Sequence, residues 1–409
     1  MSATPNKQTG YEPTPRGVPL LDLNRQHAPL KDQIAASLGR VWDTGAFVLG
    51  PEVKQLEANV AQCCQTRHAI GCASGSDALL LALMALEIGP GDEVILPSFT
   101  FFATAGAVTR LGARPVFADI DPATFNLAPE AVQRLVRPAT KAILPVHLFG
   151  LCADMDALGR IARSAGIPLV EDCAQAIGAE FDGHRAGSMG AAGCLSFYPT
   201  KNLGGAGDGG MLVTNDDGMA QRLRLLRVHG MEPRYYHKVV GINSRLDSFQ
   251  AAVLNVKFPC LDDWTRRREA NARRYDALFV AAGLDRILVL PRHSTRCRHV
   301  WNQYVVRVPN AQRDRMRAFL AESKIGTEVY YPLGLHSQEC FRELGYAPGD
   351  LPETERAAQE VLALPIFPEL TADEQAFVVD RMAAFFRSAP RGHALSGPKF
   401  LTHPLARKS

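Results

Sequence analysis

A chain of 409 residues, 46% of them hydrophobic and 21% charged, can bury a large core and is long enough for about two domains. Its formal charge of +3 comes from 45 basic and 42 acidic residues that are interspersed, so no basic stripe asks for nucleic acid. Met1 to Arg16 lacks the apolar core of a signal peptide, no later run reaches about 18 uncharged apolar residues, and the nine cysteines follow no disulfide or C-x-x-C spacing. The expectation is a cytoplasmic protein with no membrane partner.

From Arg67 to Asp216 short β-rich runs alternate with longer helical patterns, the mark of helices packed on a mainly parallel sheet. Seven strands are predicted: His68 to Cys72, Glu93 to Pro97, Pro115 to Asp119, Ala142 to His147, Pro168 to Asp172, Cys194 to Phe197 and Gly210 to Thr214. Between the first two, Asp77 to Glu87 is apolar almost throughout, which predicts a helix buried against the sheet. Gly89-Pro90-Gly91-Asp92 turns the chain into the next strand. After Ser248 a long helical stretch interleaves charged and apolar residues through Trp264, Arg266, Arg267, Arg268, Tyr275 and Leu278, and is expected to bridge two domains.

From Val289 onward, strands at Gln303 to Arg307 and Thr327 to Tyr331 beside helical patterns read as a smaller α+β domain. The expected division is an N-terminal extension over 1–19, a large domain over 20–260 with an N-terminal segment at 20–66, a small C-terminal domain over 261–386, and a disordered basic tail over 387–409.

Three segments carry chemistry. Ala73-Ser74-Gly75-Ser76-Asp77 joins a strand to a helix with small residues where unpaired N–H groups gather, as a phosphate cradle does. An ordinary capped helix, with Ser74 or Ser76 as N-cap, explains the same residues. Glu171-Asp172-Cys173-Ala174-Gln175 puts carboxylates at the C-terminal end of an apolar strand, where open α/β sheets bind ligands. A buried Asp172 needs a cationic partner, and a protonated pyridine nitrogen would serve; the alternative is an Asp that caps the next helix. Ser196-Phe197-Tyr198-Pro199-Thr200-Lys201-Asn202-Leu203-Gly204-Gly205 places Lys201 between a core strand and a glycine-dense return. Most lysines are solvated surface charges, whereas a Schiff-base lysine needs an enclosed setting of low dielectric.

S-G-S-D-A-L from Ser74, P-S-F-T-F-F-A-T from Pro97, E-D-C-A-Q from Glu171, S-F-Y-P-T-K-N-L from Ser196, R-V-H-G from Arg227 and G-I-N-S-R-L-D from Gly241 occur in that order. Over Leu20 to Met382 the chain resembles the DegT/DnrJ/EryC1/StrS sugar aminotransferases. The resemblance implies a pyridoxal 5'-phosphate enzyme of fold type I, with a mixed, mainly parallel seven-stranded sheet in its large domain, acting as a homodimer with shared active sites. It implies that Lys201 bonds the cofactor, Asp172 pairs with the pyridine nitrogen, Phe101 stacks on the ring and Gln175 lies near its phenolic oxygen. Gly75, Ser76 and Ser196 would hold the phosphate, and Asn243 would reach the phosphate in the other subunit. Gln175 stands where the family often has histidine, which removes a titratable group. By themselves, Phe101 also reads as a core aromatic and Asn243 as a turn residue.

The implied reaction moves an amino group from an amino acid, by family habit glutamate, to a nucleotide-linked keto-sugar, in amino-sugar biosynthesis. Tyr235-Tyr236-His237 resembles members acting on 3-keto sugars more than those acting on 4-keto sugars. Val329-Tyr330-Tyr331-Pro332 with His336, and Phe47 to Gly50, resemble the family's substrate-side segments, while His229 and His336 also read as structural histidines. Rival readings are a sugar dehydratase of the same fold, which carries histidine in place of the anchoring lysine, and a non-catalytic regulatory or binding protein. A nicotinamide-binding fold is disfavoured because no G-x-G-x-x-G opens an early helix. No metal site is expected, since His147, Cys152, Cys173 and His229 lack ligand spacing.

Overall fold

The computed structural model describes residues 17–388. Seven strands form one mixed sheet: β1 (His68–Cys72), β2 (Glu93–Pro97), β3 (Arg114–Ala118), β4 (Thr140–Ile143), β5 (Val170–Asp172), β6 (Ala192–Ser196) and β7 (Gly210–Thr214). The spatial order is β1-β7-β6-β5-β4-β2-β3, with β5 joined to the β4 segment by the parallel bridges Ile143 to Leu169 and Val146 to Asp172. β7 runs antiparallel to both neighbours, and the remaining pairings are parallel. The seven predicted strands are all present, three of them (His68–Cys72, Glu93–Pro97 and Gly210–Thr214) with the predicted bounds and four with shifted ends. β4 stops at Ile143, where Pro145 has no N–H to continue the ladder, and only Val146 bridges beyond it.

Strand side chains alternate between two buried faces, as the pleat requires. Ile70, Val94, Leu96, Phe117, Leu144, Val170, Cys194 and Leu212 lie in one core cluster with residues of α3 (Gly75–Ala85) and α4 (Ala103–Arg110). Ala69, Ile95, Val116, Ile143, Leu195, Met211 and Val213 lie in the other, with α2 (Pro51–Cys63), which follows α1 (Lys31–Thr44) in the chain, and α5 (Met155–Ala165). The predicted helix begins two residues earlier than the apolar run, because Ser74 caps it by accepting from the Asp77 amide at 3.1 Å.

The long helical stretch is two helices, α6 (Ser248–Lys257) and α7 (Leu261–Ala281), separated by a tight turn that contains Pro259. Beyond them the predicted strand at Thr327 to Tyr331 is absent. Only Glu328 bridges to Ala363, and the two-stranded sheet consists of β8 (Tyr304–Arg307) against β9 (Val361–Leu364), a strand the sequence reading did not single out. The C-terminal helix α8 (Ala372–Ser388) runs past Phe386, and the rest of the expected tail lies outside the described residues, as does the segment before Gly17. One core cluster spans both sides of the expected boundary, joining Phe99, Val146 and Phe149 to Tyr275, Phe279, Trp301 and Tyr304. Among the described residues, no helix is long and apolar enough to cross a membrane.

Glu171 fixes the end of β5. Its side chain is fully buried and accepts four hydrogen bonds: from His147 Nε2 at 2.9 Å and the amides of Gly187 at 2.8 Å, Met189 at 2.8 Å and Gly190 at 2.5 Å. His147 Nδ1 accepts from the Ala153 amide at 3.1 Å, so Nε2 carries the proton. Together with Cys173 these side chains bring three ligand-type atoms within 4.8 Å, but the carboxylate's capacity is already taken by donors of the protein. Glu171→Gln would turn an N–H donor toward other donors. It is expected to lower stability by about 1–3 kcal/mol, read as a reduced urea midpoint of the cofactor-free protein.

Candidate active site

The strand ends converge. Cys72 and Ser196 both pair with Gly210, so the turn leaving β1 and the loop leaving β6 meet across the start of β7. A side chain at Gly210 would lie 2.3 Å from the Ser74 carbonyl, and one at Gly75 would lie 2.6 Å from Ser196 Cβ. Glycine is therefore needed for this approach, and it is what lets the N-terminus of α3 sit against Ser196. The amides of Gly75 and Ser76 have no acceptor within the helix, as at any helix start, and face outward beside the exposed Ser76. The preceding backbone is held by Ser244, whose hydroxyl accepts from the Ala73 amide at 3.1 Å and donates to Asp77 at 2.7 Å. Arg227 of the R-V-H-G motif anchors β1 from behind, donating to Glu57 at 2.6 Å and to the Gly71 carbonyl at 2.8 Å.

Asp172 closes β5 in a buried position. One oxygen accepts from the Ala174 amide at 3.1 Å, the other from the Thr104 hydroxyl at 2.9 Å, and Thr104 meets Thr100 at 3.2 Å. Among the described residues no cation pairs directly with it. Burial pushes its carboxyl above the usual range, while the Ala174 and Thr104 hydrogen bonds and the charge of Lys201 pull it back. Thr100 and Thr104 were not singled out by sequence. Thr104 lies in the first turn of α4 and Thr100 in the loop before it, so no helical spacing marked the pair in the sequence.

Lys201 lies in a loop whose shape is set by glycine. A side chain at Gly204 would lie 2.2 Å from the Pro199 carbonyl oxygen, and the Gly205 amide returns to Phe197 O at 2.8 Å. Asn202, also overlooked in the sequence, is buried and ties the loop to the C-terminal part of the chain. It donates to Val300 O at 2.8 Å and accepts from Asn302 at 2.9 Å. Burial lowers the pKa of the Lys201 amine below the ordinary lysine range, and the negative charge of Asp172 opposes that shift. Lys201 is thus no solvated surface lysine.

Phe101 is 59% exposed, which removes the core reading, and its ring lies 6.4 Å from that of Tyr331. Gln175 accepts from the Phe149 amide at 2.6 Å and directs its amide nitrogen to the Tyr331 hydroxyl at 3.4 Å. Asn243 is exposed, and the chain brings it to none of these groups, whereas its neighbour Ser244 does reach the α3 turn. His229 is exposed with a left-handed backbone, and His336 is buried against Ser98 at 2.7 Å, a structural contact.

The arrangement fits pyridoxal phosphate on its own terms. It offers a buried carboxylate lacking a cation, an amine of lowered basicity, and a helix N-terminus that a Cβ at Gly75 would obstruct.

Residues 29–383 match the DegT/DnrJ/EryC1/StrS aminotransferase family. The chain is 52% identical over 370 residues to the pleiotropic regulatory protein of Geobacillus stearothermophilus, an alignment covering 90% of this chain and 99% of that protein. It is 44% identical over 375 residues to the UDP-N-acetyl-3-dehydro-alpha-D-glucosamine 3-aminotransferase of Acidithiobacillus ferrooxidans, covering 92% and 98%. The crystal structure of DesV from S. venezuelae in complex with a ketimine intermediate superposes with a TM-score of 0.88 at 41% identity, covering 91% of this chain and 99% of that one. The chain belongs to the DegT/DnrJ/EryC1/StrS aminotransferase family and is a pyridoxal-phosphate-dependent sugar aminotransferase.

Proposed function

We propose that the enzyme aminates a nucleotide-linked 3-keto-sugar with glutamate as donor, and that Lys201 is the residue that bonds the cofactor. The observation that carries the assignment of Lys201 is its lowered basicity in a glycine-shaped loop close enough to Asp172 to feel its charge. Asp172 would keep the pyridine nitrogen protonated, and its two remaining acceptor positions suit that N–H. The bound cofactor supplies an electron sink for the carbanion left when the donor loses its α-proton. Lys201 would hold the cofactor and, as a free amine, would take up the donor's α-proton and give it back, for which an amine that is neutral part of the time is required.

Gly75, Ser76 and Ser196 meet at one turn and would hold the phosphate with backbone N–H and hydroxyl donors. Phe101 would cover one ring face and exclude water. Gln175 would turn its amide nitrogen toward the phenolic oxygen, since its own oxygen is already used by the Phe149 amide.

A homodimer follows from the same reading. Trp42, Phe47 and Phe249 form a ring cluster with centroids 5.5 to 6.3 Å apart, and Trp42 is 71% exposed. An apolar surface of this kind is what a second copy would cover, and Asn243 is free to enter the partner's site. The preference for a 3-keto acceptor over a 4-keto one rests on Tyr235, Tyr236 and His237, an exposed stretch, and on the similarity to a 3-aminotransferase. Nine free thiols suit a reducing compartment, and we place the reaction in the cytoplasm.

An absorbance spectrum of wild type and Lys201→Ala with added pyridoxal phosphate tests the assignment. A visible band in wild type alone, converted by glutamate to the band of the aminated cofactor, is expected; nucleotide-linked 3-keto-sugars should then reverse the change faster than 4-keto ones. A band that survives in Lys201→Ala would refute Lys201 as the anchor. Asp172→Asn removes the charge that favours the Lys201 ammonium while leaving its burial. The half-point of the pH profile for cofactor capture should therefore move to lower pH, and turnover should fall on the order of 10²-fold.

A further inference from the structure

Lys257, the last residue of α6, is fully buried, and among the described residues no carboxylate pairs with it. Its ammonium donates to the Gly204 carbonyl, meets His27 Nε2 at 3.0 Å and lies 5.9 Å from the centre of the Trp264 ring. Because an ammonium has only donors, His27 Nε2 must be the acceptor there, which puts the imidazole proton on Nδ1. Burial pushes the Lys257 pKa down to about 8, so the cation remains the major form at neutral pH. Desolvation, and then the charge of Lys257, push His27 below the ordinary histidine range, in keeping with a neutral imidazole.

A buried cation without a counter-ion is a costly way to hold a fold, because only neutral acceptors repay its desolvation. Its target explains it. Gly204 lies three residues after Lys201, in the return that gives the loop its shape. Gln250, on the same helix α6, accepts from the Ala206 amide at 2.8 Å, so one helix grips this return at two points. Asn202 is gripped from the other side through Val300 and Asn302.

We propose that Lys257 is a positioning residue for the aminotransferase reaction, its ammonium holding the Gly204 carbonyl so that the Lys201 loop keeps its shape and the amine its place near Asp172. The proposal rests on the assignment of Lys201 as the cofactor's anchor. Lys257 contacts Gly204, His27 and Trp264, so its effect is transmitted through the backbone of residues 202–206.

Lys257→Met keeps the length and the packing on Trp264 but removes every donor, whereas Lys257→Arg retains donors. The cofactor-free Met variant should unfold at the wild-type temperature or above it. Its dissociation constant for pyridoxal phosphate, read from the lysine-dependent absorbance band, should rise about tenfold or more. Amide hydrogen exchange across 202–206 should quicken, and Lys257→Arg should recover part of the affinity. Wild-type affinity and exchange in the Met variant would overturn the proposal. So would a Met variant that fails to fold or loses stability in proportion to affinity, because the ammonium would then be structural. Absence of the band in wild type itself would instead remove the Lys201 assignment, and the proposal with it.

Discussion

A carboxylate buried at the end of a strand without a cation beside it is costly, and Asp172 is such a group. Two hydrogen bonds, from the Ala174 amide and Thr104, offset part of that cost and leave the charge itself unanswered. Its neighbour in sequence shows what complete compensation looks like. Glu171 points to the opposite face of β5 and accepts four hydrogen bonds, three of them from backbone amides. The period of the strand thus separates two adjacent acidic residues into an anchor and a site, and a bound pyridinium would supply the missing positive charge.

Everything around Asp172 serves to bring other groups to that strand end. The antiparallel β7 places Gly210 between the ends of β1 and β6, and its missing side chain allows the α3 turn and Ser196 to touch. Gly204 lets the loop after β6 fold back on Pro199, which leaves Lys201 enclosed enough to lose basicity. The loop itself has little core of its own. Its position depends on Asn202, which reaches out of it to Val300, and on Gln250 and Lys257, which reach it from different turns of α6.

The expected seven strands were legible because each is a short apolar run bounded by turn residues, and the sheet that contains them is mixed and mainly parallel as the resemblance implied. Thr327 to Tyr331 was misread for a physical reason: a β-rich composition does not supply a partner strand, and beyond Glu328 the chain leaves the sheet edge and carries Tyr331 to Gln175. Val361–Leu364 was passed over because four apolar residues directly after a helix carry no periodicity of their own. Among site residues, Lys201, Asp172, Gly75 and Ser196 stood out through motifs, whereas Thr104, Asn202 and Lys257 carried no local signal strong enough to separate them from ordinary polar residues.

By itself the amino-acid sequence determined the seven strands of the large sheet, the glycine-dependent turns and the candidate groups for the chemistry, since these follow from local sterics, patterning and motif. Tertiary structure alone decided which of two adjacent carboxylates is satisfied, how far the Lys201 amine is enclosed, and which distant side chains hold its loop. Those properties arise from desolvation and from hydrogen bonds between residues far apart in the chain, such as Asn202 with Val300 and Lys257 with His27.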